Sequence, residues 1–198
     1  MTMELDGRVI ALVCRGSEAD RAIAVALAEA GANLALGTIT GAPDEEFSTA
    51  SIANEVWAIG REQFNRVMHA ADPAEAAAFA AEVCDRLGRC DGLLLAPGPV
   101  PEIGFDELSR DEWDPLVERT LTAWLFCAQA FGRVIERGGG GVMVIANEPA
   151  DQGPSSQAID AALAGATAGM RAAYAERGVH VMGCAPGNAA ARVMAVLP

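Results

Sequence analysis

Apolar runs of strand length alternate with segments of helical composition along most of the chain. Arg8 to Cys14 (RVIALVC) is a continuous apolar run, the mark of a strand covered on both faces. Asp20 to Ala30 (DRAIAVALAEA) reads as a helix that Gly31 ends, and Ala32 to Leu36 is a second apolar run. Strand, turn, helix and strand within about thirty residues form a βαβ unit, which builds parallel sheets through crossover helices.

The alternation continues. Pro43 to Gly60 predicts a helix whose first turn carries Asp44, Glu45 and Glu46, charges suited to the positive end of the helix dipole. Phe64 to His69 predicts a third strand. Asp72-Pro73-Ala74-Glu75 combines a capping residue, proline at the first helical position and glutamate at the third, so a helix is expected over Pro73 to Leu87. Gly92 to Ala96 (GLLLA) predicts a fourth strand, and Ser109-Arg110-Asp111-Glu112 opens a long helix from about Glu112 to Arg137. Gly138 to Gly141 break that helix before a fifth strand, Val142 to Ala146. An alanine-rich helix from about Ser156 to Glu176 leads to a sixth, Val179 to Cys184. The class is α/β, and the regular alternation over residues 1–198 leaves room for one domain only.

Composition narrows the function classes. At 198 residues with a 52% hydrophobic fraction the chain can bury a large core. The net charge of −13 and the singly scattered arginines exclude nucleic acid as an expected partner, because phosphate backbones are held by clustered cations. No apolar run reaches the roughly 18 to 20 residues of a membrane span, and Met1 to Arg8 lacks a signal-peptide layout, so a cytoplasmic location and no membrane partner are expected. Five cysteines without a C-x-x-C pair, beside only His69 and His180, predict buried thiols and no metal site. All 14 basic side chains are arginine. The chain has no lysine, and its one tyrosine is Tyr174.

Several segments, in order, resemble the short-chain dehydrogenase/reductase family. Leu5 to Val13 is similar to its opening strand, and Arg21 to Ala24 with Ala28 to Ala32 to its first helix and turn. Trp113-Asp114 with Leu121-Thr122 resembles the helix that carries a functional asparagine. Arg177-Gly178-Val179 and Ala185-Pro186-Gly187 resemble the sixth strand and the Pro-Gly motif behind the nicotinamide. The resemblance implies a Rossmann-like, doubly wound parallel sheet of six or seven strands, the last of them at Arg192 to Leu197 if a shortened connection replaces the substrate-covering lid.

The functional positions depart from that pattern. The family's glycine-rich turn, which lets the backbone approach a pyrophosphate at a helix N-terminus, reads Cys14-Arg15-Gly16-Ser17-Glu18-Ala19-Asp20. One glycine is left, and Glu18 and Asp20 stand where a phosphate would sit. The acid that holds an NAD ribose falls at Thr38, the adenine-contacting position at His69, and the Asn-Asn-Ala-Gly motif reads Leu95-Ala96-Pro97-Gly98. Arg15, Gly16, Gly98, Pro186 and Gly187 are vestiges of a cofactor site, Arg15 keeping the option of reaching a phosphate. The catalytic Asn, Ser, Tyr and Lys positions fall at Thr120, Asn147, Asp160 and Ala164, taking residues 148–159 as free of gaps. No lysine exists to complete the pair, and an unperturbed aspartate, with a pKa of about 3.9, is too acidic to protonate an alkoxide.

What the resemblance retains is the pair of helices that form a four-helix subunit interface. Small residues occupy every face of the later one, and Trp124, Ala128, Phe131, Ala162, Ala166 and Gly169 are the interface candidates. Heteromeric members with one degenerate subunit are known in the family, some acting on hydroxyacyl thioesters. The expectation is therefore a non-catalytic subunit without a cofactor of its own, pairing as a heterodimer or heterotetramer with an active paralogue that binds NAD(P). Two alternatives stay open: a ligand-sensing Rossmann module, and an oxidoreductase with rearranged catalytic residues.

Overall fold

The computed structural model describes residues 4–101, 103–147 and 153–197. Six strands, β1 (Val9–Cys14), β2 (Asn33–Thr38), β3 (Gln63–Arg66), β4 (Gly92–Ala96), β5 (Gly141–Ala146) and β6 (Val179–Cys184), form one all-parallel sheet in the order β3-β2-β1-β4-β5-β6. β1, β4 and β5 are buried at every position, as their unbroken apolar runs require. The chain reverses direction across the sheet between β1 and β4, which makes their carboxyl ends the topological switch point.

Helices cover both faces. On one lie α1 (Glu18–Glu29), α2 (Pro43–Ala58) and α7 (Ala189–Met194), and on the other α3 (Pro73–Leu87), α4 (Arg110–Val117), α5 (Ala123–Arg137) and α6 (Pro154–Tyr174). Phe64, Phe79 and Phe131 meet edge to face in the second layer, with centroids 6.0 and 5.6 Å apart. Trp124 is fully buried and donates its indole N–H to Thr167 at 3.2 Å. Asp91, buried at the amino end of β4, accepts from the Val9 amide at 2.9 Å and pairs with Arg8 and Arg89, while its own backbone bonds Val9 and Val142. One residue thus ties β1, β4 and β5 together at the amino end of the sheet, its carboxylate binding β1 and its backbone binding β1 and β5.

Three expectations are corrected. Arg192 to Leu197 is not a last strand: Ala189, Val193 and Leu197, four residues apart, bury one helical face against α1 and β5. The sheet among the described residues therefore has six strands. The helix expected over Glu112 to Arg137 is interrupted by a wide π turn at Glu118–Thr122, downstream of Pro115, which donates no backbone hydrogen bond. β3 stops at Arg66, so His69 lies beyond it, its backbone N–H held by the Glu75 carboxylate at 2.7 Å.

The lone tyrosine is explained by packing. α6 runs from the carboxyl end of β5 back to the amino end of β6, so Tyr174 sits at the opposite end of the sheet from Asn147. Its ring lies on Gly132 of α5, and the Arg177 guanidinium is 5.3 Å from the ring centroid. A methyl group at Gly132 would collide with the phenol. Gly132→Ala should lower stability by about 1–3 kcal/mol in urea unfolding, and Gly132→Ala with Tyr174→Leu should recover part of the loss; equal stability of wild type and Gly132→Ala would show that the contact relaxes freely.

Candidate functional site

The turn after β1 is closed from within. Ser17 caps α1, its hydroxyl accepting from the Asp20 amide at 3.2 Å, and the Asp20 carboxylate accepts from the Ser17 amide at 2.8 Å. Asp20 is only 2% exposed, and burial pushes its carboxyl above the usual aspartate range. Glu18 points outward and pairs with Arg21 at 3.4 Å. Of the two acids expected near the helix start, Asp20 takes part in the cap and Glu18 does not.

Gly16 has φ +80°, a conformation that favours glycine, and α2 lies directly on it. A Cβ at Gly16 would collide with the Ser48 side chain and approach the Thr49 nitrogen to 3.2 Å. Glu45, 3% exposed in the first turn of α2, reaches down between the strands. One carboxylate oxygen receives Arg15 Nε at 2.9 Å and the other receives the amides of Ile39 and Thr40 at 3.0 and 2.8 Å. Arg15 is thus held by an internal acid, and the space between the ends of β1 and β2 is filled by protein.

The β4 end is held by a second arginine. Gly98, φ +77°, lets the Arg15 side chain cross at 3.3 Å from where a Cβ would stand. Arg119 clasps the same turn from the π segment, donating to the Pro97 and Pro99 carbonyls at 2.8 and 2.9 Å. Burial, and then the charge of Arg15 nearby, lower the Arg119 pKa. Thr38 is buried and joins β2 to the segment after β3, donating to the Met68 carbonyl at 2.6 Å and accepting from its amide at 2.8 Å. Pro186 and Gly187 begin a short turn against α1.

Three of the four positions aligned with catalysis come together at the ends of β5 and β6. Asn147 donates its amide to Asp160 at 2.5 Å, and with Ala164, Thr167, Arg171 and Cys184 they line a groove of about 400 Å³. Asn147 Oδ1 is buried there without a partner among the described residues. Thr120 lies apart, buried, its hydroxyl on the Leu116 carbonyl at 2.6 Å. Sequence reading found Asn147 and Asp160 but missed Glu45, Arg119 and Arg171, which no motif announces.

The interface candidates divide. Trp124, Ala128 and Phe131 are buried in this chain's own core, so they offer a partner no surface, and their place among the candidates is corrected. Ala162 and Ala166 are half-buried, and Gly169 is exposed on α6 beside Gly165, Ala168 and Ala172. All five thiols are free, and burial raises the pKa of each, that of Cys127 to about 12. Among the described residues no cluster suits a metal ion, and no helix is long and apolar enough to cross a membrane.

Residues 13–197 match the family described as short chain dehydrogenase. The D-threitol dehydrogenase of Mycolicibacterium smegmatis is 29% identical over 187 residues, covering 92% of this chain and 70% of that relative. The hydroxysteroid dehydrogenase of Escherichia coli superposes with a TM-score of 0.83 at 21% identity, over 93% of this chain and 73% of that one. A short-chain type dehydrogenase/reductase of Mycobacterium marinum superposes with a TM-score of 0.85 at 16% identity, over 99% and 90% of the two chains.

Two substitutions probe the closed turn. Glu45→Ala strands Arg15, the buried Ile39 amide and the half-buried Thr40 amide and should cost about 2–3 kcal/mol in chemical denaturation. Because the folded state binds the Asp20 proton more tightly than the unfolded chain, this residue makes stability fall as pH rises through the carboxylate range. Asp20→Asn should lack that component, so its stability relative to wild type should rise from acid to neutral pH; an unchanged difference would assign the pH dependence to other groups.

Proposed function

The chain belongs to the short-chain dehydrogenase family, and on that premise we propose that it is a non-catalytic subunit that pairs with and stabilises an active paralogue. The observation that carries this reading is the seating of α2 on Gly16, with Glu45 filling the space where a dinucleotide would pass. A carboxylate there repels a diphosphate, and the amides after β2 that could meet a ligand are already bonded to Glu45. The absence of lysine and the remote, packed Tyr174 support the same conclusion for catalysis. In this reading NAD(P) and the proton-transfer residues belong to the partner.

The surface of α6 supplies the means of pairing. Ala158, Ala161, Ala164, Gly165, Ala168, Gly169, Ala172 and Ala173 are exposed along it. Small side chains allow another helix to approach closely with little loss of side-chain entropy. Leu125 on α5, 43% exposed, is a larger apolar group that such an interface would cover.

A second reading has its own support. The groove at Asn147 and Asp160 offers a buried carbonyl oxygen with no partner among the described residues, which suits a ligand rich in donors, and a sensing module would use it without chemistry.

Co-expression with neighbouring dehydrogenase genes, purification through a tag on this chain, and mass measurement of the product test the proposal. A complex of defined stoichiometry with a Tyr-x-x-x-Lys protein is expected, active with NAD(P), and polyol oxidation is the first assay because of the threitol-dehydrogenase relative. Gly165→Trp or Gly169→Trp should weaken the complex by about tenfold or more, as about 1.4 kcal/mol suffices for that. Failure to associate with any active dehydrogenase, or hydride transfer by this chain alone, would overturn the reading.

A further inference from the structure

α2 presents a second seam to solvent. One face of the helix, with Glu45, Thr49, Ile52, Ala53 and Val56, is buried against β2, β3 and α1. On the solvent side Pro43, Phe47, Ala50, Asn54 and Trp57 follow one another at intervals of four, three, four and three residues. That is the spacing with which one helix sets its side chains between those of another. Phe47 is 78% exposed and Trp57 70%, the largest exposures of a large apolar side chain among the described residues. No charged residue stands within this stripe.

The two ends of the stripe are complementary. At the first, Phe47 stands out between Asp44 and Glu46, both exposed and neither with an ion-pair partner among the described residues. At the other, Trp57 borders a groove of about 560 Å³ lined by Phe64, Leu87, Arg61, Arg86 and Glu62. Arg61 pairs with Asp6 at 3.4 Å and Arg86 with Glu82 at 2.7 Å, surface pairs of the kind that contribute little and that a further acid can join. An aromatic knob flanked by acids and an aromatic-lined groove bearing two arginines thus stand ten residues apart on one helix, about 15 Å.

We propose that α2 packs antiparallel on α2 of a second copy of this chain, about a two-fold axis level with residue 52. Phe47 then enters the groove beside the second copy's Trp57, and Ala50 faces the second copy's Asn54. Both pairs are centred on the same residue, so each contact forms twice, as two-fold symmetry requires. Asp44 and Glu46 approach the second copy's Arg61 and Arg86. A parallel pairing would set acid against acid and leave both grooves empty. Asn54 fixes the register, as a lone polar residue does in a two-helix seam. The flanking acids and the net charge of −13 disfavour an anionic lipid surface on this face. This contact goes beyond pairing with a paralogue: α2 and α6 lie in opposite layers, so both contacts can form at once.

Sedimentation equilibrium of the whole chain from about 1 to 500 µM, at about 0.15 M salt, tests the proposal. One helix face with one groove lies at the small end of specific interfaces, so a monomer–dimer equilibrium in the micromolar range is expected. Phe47→Glu and Trp57→Arg should each weaken it about tenfold or more, and because both side chains are exposed both variants should keep the thermal unfolding of the parent. An equimolar mixture of the two should associate more tightly than either variant alone, since it restores one Phe–Trp contact and adds one Glu–Arg pair. Gly169→Trp, on α6, should leave the equilibrium unchanged. A chain that stays monomeric over the whole range, a dimer that neither substitution weakens, or a mixture no tighter than its components overturns the proposal. So does a dimer lost in Gly169→Trp and kept in Phe47→Glu, which would place the self-contact on α6; co-purification with an active dehydrogenase is read separately and decides only the paralogue.

Discussion

Every strand in the sheet runs the same way, so each must be reached by a crossover, and the crossovers must cover both faces. That constraint explains the continuous apolar runs of β1, β4 and β5 and the division of helices into two layers. It also gathers the carboxyl ends of β1, β4, β5 and β6 at one end of the sheet. The Arg15, Glu45 and Arg119 cluster and the Asn147 and Asp160 groove both lie there, because a parallel sheet gives its chain no other place to leave the strands on that side.

At that end this chain meets its backbone's polar groups with its own side chains. Glu45 serves Arg15 and two amides, Asp20 and Ser17 cap each other's residues, and Arg119 holds two carbonyls. Buried polar groups left unmatched are costly, so self-matching of this sort stabilises an end that would otherwise need a ligand to complete it. The Asn147 groove differs, since an oxygen there is buried and unmatched among the described residues.

The elements with strong local signals were legible in the amino-acid sequence: the limits of α3, β4 and β6 agree with their caps and apolar runs. Arg192 to Leu197 was misread because a short apolar run suits strand and helix alike, and only the four-residue spacing of Ala189, Val193 and Leu197 separates them. Trp124 and Phe131 looked available for a partner because helical periodicity shows that a face is apolar without showing what covers it. Asn147 and Asp160 were found by their place in a family pattern. Glu45 was seen only as a charge suited to a helix start; its role depends on a turn thirty residues away, which no local signal encodes.

Asp91 sets an order of events during synthesis. The Val9 amide that it receives leaves the ribosome 82 residues earlier. Until then β1 can pair only with β2, so the emerging chain is a half-sheet with the future centre of the molecule exposed as an edge. Arrival of β4 covers that edge and delivers, within one short segment, the carboxylate that neutralises Arg8 and Arg89. The second half of the protein is thus added to a first half whose most hydrophobic strand has been waiting, and the interval between residues 14 and 92 is the period in which a nascent chain has most need of a chaperone.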